Sequence, residues 1–479
     1  METIKKEWIG NIRGDLLAGI VVCMALIPEA IGFSIVAGVD PMVGVYASFC
    51  ISIITAIFGG RPGLISAAAG ATALVLASLV KDYGIQYLFA ATILTGIIQM
   101  IFGYLKIGNL MKFIPKPVMT GFVNALGILM LQSQLGHFKG DSILLMLGIV
   151  GVIIIYLFPK ITKQIPSPIV AIITVTAIVS IFDIDIKTLG DMGNISTELP
   201  KFMIPGVEFN METLNIIFPY ALSVSLVGIV ESLLTAQLVD DLTDTTSDKN
   251  KETKAQGLAN IVAGFFGGIA GCGMIGQTII NNSYGGRGRL STLTAGVGML
   301  IAVIVFNDFV SQIPVVALAS VMVVVAFSTF NFESIKRIRK VPMSDTIVMI
   351  VTVIVVLLTH NLAYGVIAGI LVSMISFASK ISEIKITKTE INNLVKYKIE
   401  GQLFFASTTK FINSFDYIEK EKIVALDFSN VKVWDESAVD AIDKVIMKYK
   451  NNNTNINIIG LSEDCKVLVN DISTIKNIA

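Results

Sequence analysis

Charged residues are scarce in this chain of 479 residues: Asp, Glu, Lys and Arg make up 15% of it, and hydrophobic residues make up 54%. From about residue 16 to residue 380, the charges lie in short clusters between apolar runs of membrane-crossing length. This composition excludes an ordinary soluble protein and predicts a multi-pass membrane protein. Acidic and basic residues are equally numerous, 36 of each, so the net charge gives no sign of a nucleic-acid partner.

Residue types that carry most enzyme chemistry are also few, with four cysteines and two histidines in the whole chain. The cysteines lack a metal-like spacing, and the histidines fall singly in loops between apolar runs. The glycine-rich stretch GGRGRL at 285–290 lacks the Lys-Ser ending of a phosphate-binding loop. We therefore expect a protein that is not an enzyme and has no organic cofactor.

One glycine-rich motif occurs twice. FGGRPGLISAAAGATALVL (58–76) begins with FGGxxG, and FGGxxG returns at 266–271. Glycine and proline at this density interrupt a membrane helix, and irregular backbone at membrane depth is tolerated only when it lines a cavity or is buried in protein. Interrupted segments at matching places in two halves of a chain indicate the binding site of an inverted-repeat transporter, whereas chance recurrence of a turn is the alternative.

The apolar runs predict about fourteen membrane spans, with the third and tenth short enough to be half-helices. The predicted spans are 16–38, 41–58, 64–80, 86–105, 117–134, 142–158, 166–182, 212–239, 255–268, 273–283, 291–306, 312–330, 345–359 and 361–379. The two FGGxxG copies follow spans two and nine. Because seven is odd, the second half must lie inverted relative to the first, which predicts a 7+7 inverted repeat in a mainly α-helical membrane protein.

Basic residues in the loops give the orientation. The loops that follow even-numbered spans hold fifteen Lys and Arg residues. The loops that follow odd-numbered spans hold four, namely Lys81, Lys139, Lys187 and Lys201. Since basic loops stay on the cytoplasmic side, we expect both termini in the cytoplasm and the protein in the cell's inner (plasma) membrane.

Two carboxyl groups lie in span interiors, and no Lys or Arg does. Glu29 lies in span one and Glu231 at the equivalent place in span eight, with Thr235 one turn further on. An apolar surrounding disfavours a bare carboxylate, so each group needs a proton or a cation. The oxygens of Glu231 and Thr235 suit sodium. The alternative is that the carboxyls only order helix packing.

The two half-helices supply positive electrostatic potential, which is opposite in sign to the charge of the carboxyls. Their N-termini present free backbone N–H groups and positive dipole ends, which form an anion site without any basic side chain. The predicted substrate-binding residues are Ala67, Ala69, Gly70, Ala71, Cys272, Gly273, Met274 and Ile275. Such an anion can bind beside two carboxyls only when these are neutralised, which predicts coupled binding of anion and cation.

After a charged linker predicted at 383–396, the last part of the chain alternates strands and helices. We predict strands at 397–405, 422–429 and 456–461, a helix at 435–450 capped by Asp435, and a final helix at 465–472. The predicted organisation is a membrane domain at 1–382 and a small cytoplasmic α/β domain at 397–479.

Three stretches, 14–49, 58–75 and 231–271, resemble the SulP family of inorganic anion transporters, and the C-terminal part resembles a STAS domain. The resemblance implies a core domain of spans 1–4 and 8–11, a gate domain of spans 5–7 and 12–14, elevator-like alternating access and a homodimer. It implies sodium binding at Glu231 and Thr235, proton coupling at Glu29, and a regulatory position at Ser437.

At two places the chain departs from this family. Ala69 stands where a hydroxyl residue often contacts the anion, and Gln277 stands where many members carry an arginine. The function expected is secondary transport of a small oxyanion, sulfate or bicarbonate, with a proton or sodium. The alternatives are a nucleobase–proton symporter of the same fold and a membrane-anchored anion sensor.

Overall fold

The structure is a computed structural model that describes residues 2–109, 114–138, 142–162, 165–193, 195, 197–391, 393–418 and 423–475. The chain divides into two compact units, Met1–Ile370 and Leu371–Ala479.

The first half of the membrane unit contains seven helices that coincide with the first seven predicted spans. They are α1 (Ile12–Ala37), α2 (Pro41–Phe58), α3 (Gly70–Tyr83), α4 (Ile85–Tyr104), α5 (Lys116–Gln134), α6 (Ser142–Leu157) and α7 (Ser167–Ile181). A short helix, Glu2–Ile9, precedes α1.

The second half repeats this order. Its helices are α8 (Met211–Thr243), α9 (Lys249–Phe265), α10 (Ile275–Ser283), α11 (Arg289–Val305), α12 (Val315–Thr329), α13 (Met343–Thr359) and α14 (Leu362–Ile381). Within the described residues, eight helices are long and apolar enough to cross a membrane, and α7, α11 and α13 are shorter apolar helices. The predicted mainly helical fold with many apolar helices is confirmed.

The third and tenth segments are broken, as the glycine motif predicts. Strand β1 (Ser66–Ala68) precedes α3, and strand β2 (Gly271–Gly273) precedes α10. The two strands pair antiparallel, with Ala67 opposite Cys272. With 14 and 9 residues, α3 and α10 are each shorter than a full membrane span of about 20 residues. Both FGGxxG copies lie where the preceding helix, α2 or α9, ends.

Contacts between helices follow two groups. In the first, α9 packs on α2 and α4, α11 packs on α1 and α2, and α8 packs on α4. In the second, α5 packs on α12 and α13, and α6 packs on α7 and α12. This grouping agrees with the expected core and gate domains.

Among its described residues, the C-terminal unit forms a four-stranded sheet in the order β3-β4-β5-β6 and, beyond the end of α14, three helices. Its elements are β3 (Lys385–Ile391), β4 (Leu394–Leu403), α15 (Thr408–Asn413), β5 (Ile423–Val433), α16 (Glu436–Asn451), β6 (Asn455–Ile459) and α17 (Glu463–Ile472). β3 pairs antiparallel with β4, and β5 pairs parallel with both β4 and β6. As predicted, Asp435 caps α16, since its side chain accepts the N–H of Ala438 at 2.9 Å.

The linker predicted at 383–396 was wrong, because β3 and the start of β4 occupy most of it. Strand β3 forms the edge of the sheet, and nearly all its side chains are exposed. Polar residues are therefore tolerated along it, and its composition resembles that of a linker.

Asp427 provides a test of how this unit is held together. Its carboxylate accepts hydrogen bonds from the Lys396 ammonium at 2.8 Å and from the Ser429 hydroxyl at 2.6 Å. These contacts, the one from Lys396 first, lower the pKa of Asp427 to about 2. Its stabilising contribution is therefore complete above about pH 4, the ordinary range of Asp, and is lost as the pH falls through about 2.

We expect Asp427→Asn to lower the free energy of unfolding of the C-terminal unit by about 1–2 kcal/mol at neutral pH, with the difference vanishing towards pH 2. Hydrogen exchange of the β5 amides in the full chain measures it. Glu463→Gln is the control, because it removes only an exposed pair with Lys466 and should change little. Equal protection of β5 in Asp427→Asn and wild type at neutral pH would contradict the role of this carboxylate.

Candidate functional site

Strand β1 is held on its free edge by hydroxyl groups of α2. The backbone N–H of Ala68 donates to the Ser48 hydroxyl at 3.1 Å, and the Ser52 hydroxyl donates to the carbonyl of Ser66 at 2.8 Å. All four residues are buried. In a region without water, each exposed backbone group of a strand needs such a partner. The serines spaced along α2 therefore allow a three-residue strand inside the membrane unit.

Strand β2 is held in the same way from α8 and α9. The Asn260 amide both donates to the carbonyl of Gly271, at 3.1 Å, and accepts its N–H, at 2.9 Å. The N–H of Gly273 donates to the Ser232 hydroxyl at 2.8 Å, and the Thr235 hydroxyl donates to the Gly273 carbonyl at 3.1 Å. The two strands are thus fixed by the core group of helices, and they fix where α3 and α10 begin.

A cavity of about 420 Å³ lies at the N-termini of α3 and α10. Seven of the residues predicted from the sequence line it: Glu29, Ala69, Gly70, Ala71, Glu231, Met274 and Ile275. The opposite wall consists mainly of apolar residues of α5 and α12, including Phe122, Leu126 and Val321. The cavity therefore lies between the core and gate groups of helices.

Backbone N–H groups are the cationic element of this cavity. The first intrahelical bond of α3 runs from the N–H of Ala73 to the carbonyl of Ala69, and that of α10 runs from Thr278 to Met274. The N–H groups of Gly70, Ala71, Ile275 and Gly276 lie ahead of these bonds and have no partner within their helix. Among the described residues that line the cavity, none is Lys or Arg. Positive potential therefore comes from the two helix ends alone.

The two carboxyl groups lie half-buried on the wall of the cavity and have different neighbours. The side chain of Gln277 lies beside Glu29 on the cavity wall. The thiol of Cys272 lies 3.1 Å from the carboxyl oxygen Oε2 of Glu231. Each carboxyl thus meets one weak or neutral donor and no basic side chain, so a proton or cation is still needed to neutralise it.

Two backbone carbonyl oxygens, one of them that of Glu231, lie around the Thr235 hydroxyl. Thr235 Oγ1 lies 2.8 Å from the carbonyl oxygen of Glu231 and 3.1 Å from that of Gly273. A carboxylate, a hydroxyl and carbonyl oxygens form the type of set that sodium prefers. In the part of the chain that the structure describes, no group of three or more His, Cys, Asp or Glu side chains forms a transition-metal site.

Some predicted residues lie away from the cavity surface. Ala67, Cys272 and Gly273 belong to the paired strands, and Thr235 is buried behind them. Their part in the site is to hold its backbone, apart from the Cys272 thiol that reaches Glu231. Ser437 lies exposed in the first turn of α16 in the C-terminal unit.

Sequence reasoning missed the partners of the two carboxyls and the whole gate wall. It recorded Gln277 only as a departure from a family pattern. One sequence signal was available: the spacing of Met274, Gln277 and Thr278 puts them on one face of the short helix α10. No sequence signal could have placed α5 and α12 across the cavity, because they are distant in the chain.

Two family models and several known proteins match this chain. The model of the Sulfate permease family matches residues 12–144 and 141–352, and the STAS domain model matches residues 385–477. The "Putative sulfate transporter YbaR" of Bacillus subtilis (strain 168) is 53% identical over 473 residues, which are 98% of this chain and 99% of that protein. The "Bicarbonate transporter BicA" of Picosynechococcus is 28% identical, over 81% of this chain and 74% of that protein.

Two solved structures are similar. The transmembrane domain of a cyanobacterial bicarbonate transporter BicA has a TM-score of 0.67 and 25% identity, and the match covers 76% of this chain and 97% of that one. The murine Slc26a9 anion transporter in the inward-facing state has a TM-score of 0.82 and 17% identity, over 97% of this chain and 88% of that one. The second shows likeness of fold alone.

The close approach of the strands at Gly271 makes a specific prediction. A Cβ atom at Gly271 would lie 2.1 Å from the backbone oxygen of Ala67, so Gly271→Ala should push β2 away from β1 and displace the start of α10. We expect anion uptake by the purified protein in liposomes to fall by at least about tenfold. Gly136→Ala is the control, because a Cβ there meets nothing within 4 Å. Unchanged uptake by Gly271→Ala would show that the strand pairing does not position the site.

Proposed function

This chain belongs to the sulfate permease family, and we propose that it is a secondary active transporter of a small inorganic oxyanion, coupled to a proton or sodium. The observation that carries the proposal is the cavity where two helix N-termini and two carboxyl groups share one wall. The related proteins named as sulfate or bicarbonate transporters support the same substrate class. The STAS domain then forms the cytoplasmic part of the molecule.

The coupling follows from the charges on the cavity wall. An anion held at the N-termini of α3 and α10 is close to Glu29 and Glu231, whose negative charges would repel it. A proton on Glu29, or a sodium ion at Glu231 and Thr235, removes that repulsion. Because no lysine or arginine of the described residues lines the cavity, the cation supplies the charge that a basic side chain would otherwise supply.

The position of the cavity supports alternating access by an elevator-like movement. Its polar wall belongs to the core group of helices, and its other wall is mainly apolar and belongs to the gate group. Sliding of the core group along the apolar gate wall would carry the ions without breaking a polar network. We further propose that both termini lie in the cytoplasm, that the protein resides in the plasma membrane and that it works as a homodimer.

Uptake by purified protein in liposomes tests this function. Labelled sulfate and bicarbonate are offered while the sodium and pH gradients are varied separately. Uptake that follows either gradient supports a coupled transporter. No uptake of any anion under any gradient would favour a membrane-anchored sensor instead.

We expect Glu231→Gln to abolish sodium dependence, because the neutral amide cannot balance a sodium ion. Liposome uptake with and without a sodium gradient is the measurement. Asp241→Asn is the control: it removes a carboxylate of the same helix that is exposed and pairs with Gln237. Sodium dependence that survives in Glu231→Gln would place the cation elsewhere.

We expect Glu29→Gln to flatten the pH dependence of uptake, because an amide neither binds nor releases a proton in this range. Initial rates are compared across a series of pH values at constant sodium. A pH profile with the wild-type shape would contradict proton coupling at Glu29.

A further inference from the structure

A second cavity, of about 380 Å³, lies at one end of the gate group of helices. Its walls are the starts of α5 and α13 and the connection between α12 and α13, which contains a short helix, Phe332–Arg337. Among the described residues, it shares none of its lining with the cavity beside Glu29. The proposed topology places this end of the gate group at the cytoplasmic surface of the membrane.

The connection that lines this cavity is strongly basic. Its sequence from residue 336 to residue 340 is Lys-Arg-Ile-Arg-Lys, and Lys116 of α5 lines the cavity as well. All five of these basic side chains are exposed. Acidic residues are fewer: Glu333 forms a salt bridge with Arg337 at 2.7 Å, and Asp345 lies in the first turn of α13. Positive charge therefore exceeds negative charge around the cavity.

Exposed apolar side chains distinguish this connection from an ordinary basic cytoplasmic loop. Four apolar side chains in and next to it are between 40% and 75% exposed: Phe332, Ile335, Val341 and Met343. Phe332 also packs on Phe327 of α12, with ring centroids 6.3 Å apart, so this apolar surface joins that of a membrane helix. Basic and apolar side chains side by side are typical of a segment at the boundary between lipid head groups and acyl chains.

The connection is held in place by α5. The side chain of Asn124 accepts the backbone N–H of Asn331 at 2.8 Å and donates to the Ser334 hydroxyl at 2.9 Å. Asn124 is buried, so the loss of either bond would leave part of its amide unpaired. The cavity is therefore preformed, and a ligand does not have to order the connection in order to bind.

The lining suits a phosphate group with other oxygen-containing groups beside it. Lys116 and Arg337 supply charged donors, and the positive dipole ends of α5 and α13 add to them because both helices begin at the cavity. Hydroxyl groups of Thr120, Ser334 and Thr346 form another part of the lining. We propose that this cavity binds the head group of an anionic phospholipid of the cytoplasmic leaflet, whose acyl chains lie against the exposed apolar side chains. The inference rests on the proposed orientation of the protein and not on transport.

Native mass spectrometry of the full chain in detergent micelles measures lipid binding. Phosphatidylglycerol is the anionic probe, and phosphatidylethanolamine with the same acyl chains is the lipid without net charge. We expect phosphatidylglycerol to bind at least about tenfold more tightly than phosphatidylethanolamine. Soluble glycerol phosphate carries the phosphate but no acyl chains, so it should not displace phosphatidylglycerol even in large excess.

Two double variants separate the cavity from the general charge of the connection. Lys116→Gln with Arg337→Gln removes basic side chains that line the cavity, and it should weaken binding of phosphatidylglycerol at least about tenfold. Arg339→Gln with Lys340→Gln is the matched control, because it removes the same charge from exposed residues that are not among the described lining. These two charges act through water and are screened at about 0.15 M salt, so we expect the control to change binding by no more than about threefold.

Three results would overturn the lipid site. Equal weakening by the two double variants would show that the charge of the whole connection attracts the lipid, and not the cavity. Equal binding of the two lipids by the wild type would remove the preference for an anionic head group. Displacement of phosphatidylglycerol by glycerol phosphate would indicate a site for a soluble anion instead. The last two comparisons use the wild type and do not depend on the folding of a variant. Lipid binding requires no transport, so either proposal can fail without the other.

Discussion

The pairing of two three-residue strands, β1 with β2, is the interaction on which the membrane unit depends. Each strand ends a stretch of irregular backbone and starts a half-helix, so their register fixes where the helix ends point. Strands this short are not stable by themselves. They persist because hydroxyl and amide groups of α2, α8 and α9 satisfy their outer edges, which neither lipid nor water can do at this depth.

This architecture explains the chemistry of the cavity. Helix ends give positive potential without bringing a mobile, desolvated basic side chain into the membrane. Under the proposed function, an anion held there would bind with an affinity that depends on whether Glu29 and Glu231 are neutralised. The different neighbours of the two carboxyls, Gln277 and Cys272, break the symmetry between the halves. An inverted repeat in the backbone therefore places its two carboxyls in different surroundings.

The two units differ in how well their sequences predict them. In the membrane unit, apolar runs interrupted by loops placed fourteen helices close to their observed bounds, because lipid demands long apolar helices. In the C-terminal unit, alternation predicted the inner strands β5 and β6 and the helices. It missed β3, since an exposed edge strand is under no pressure to be apolar. The prediction failed because the burial of a strand depends on the folded structure, and a single sequence indicates burial only indirectly.

The sequence by itself determined the inverted repeat, the broken third and tenth segments and the two membrane carboxyls, because each follows from local rules about glycine, hydropathy and buried charge. Only the tertiary structure decided that α5 and α12 close the cavity, that Asn260 and Ser232 hold β2, and that Gln277 lies beside Glu29 and Cys272 beside Glu231. These are contacts between residues far apart in the chain. Their geometry depends on how whole helices pack, and no local pattern encodes it.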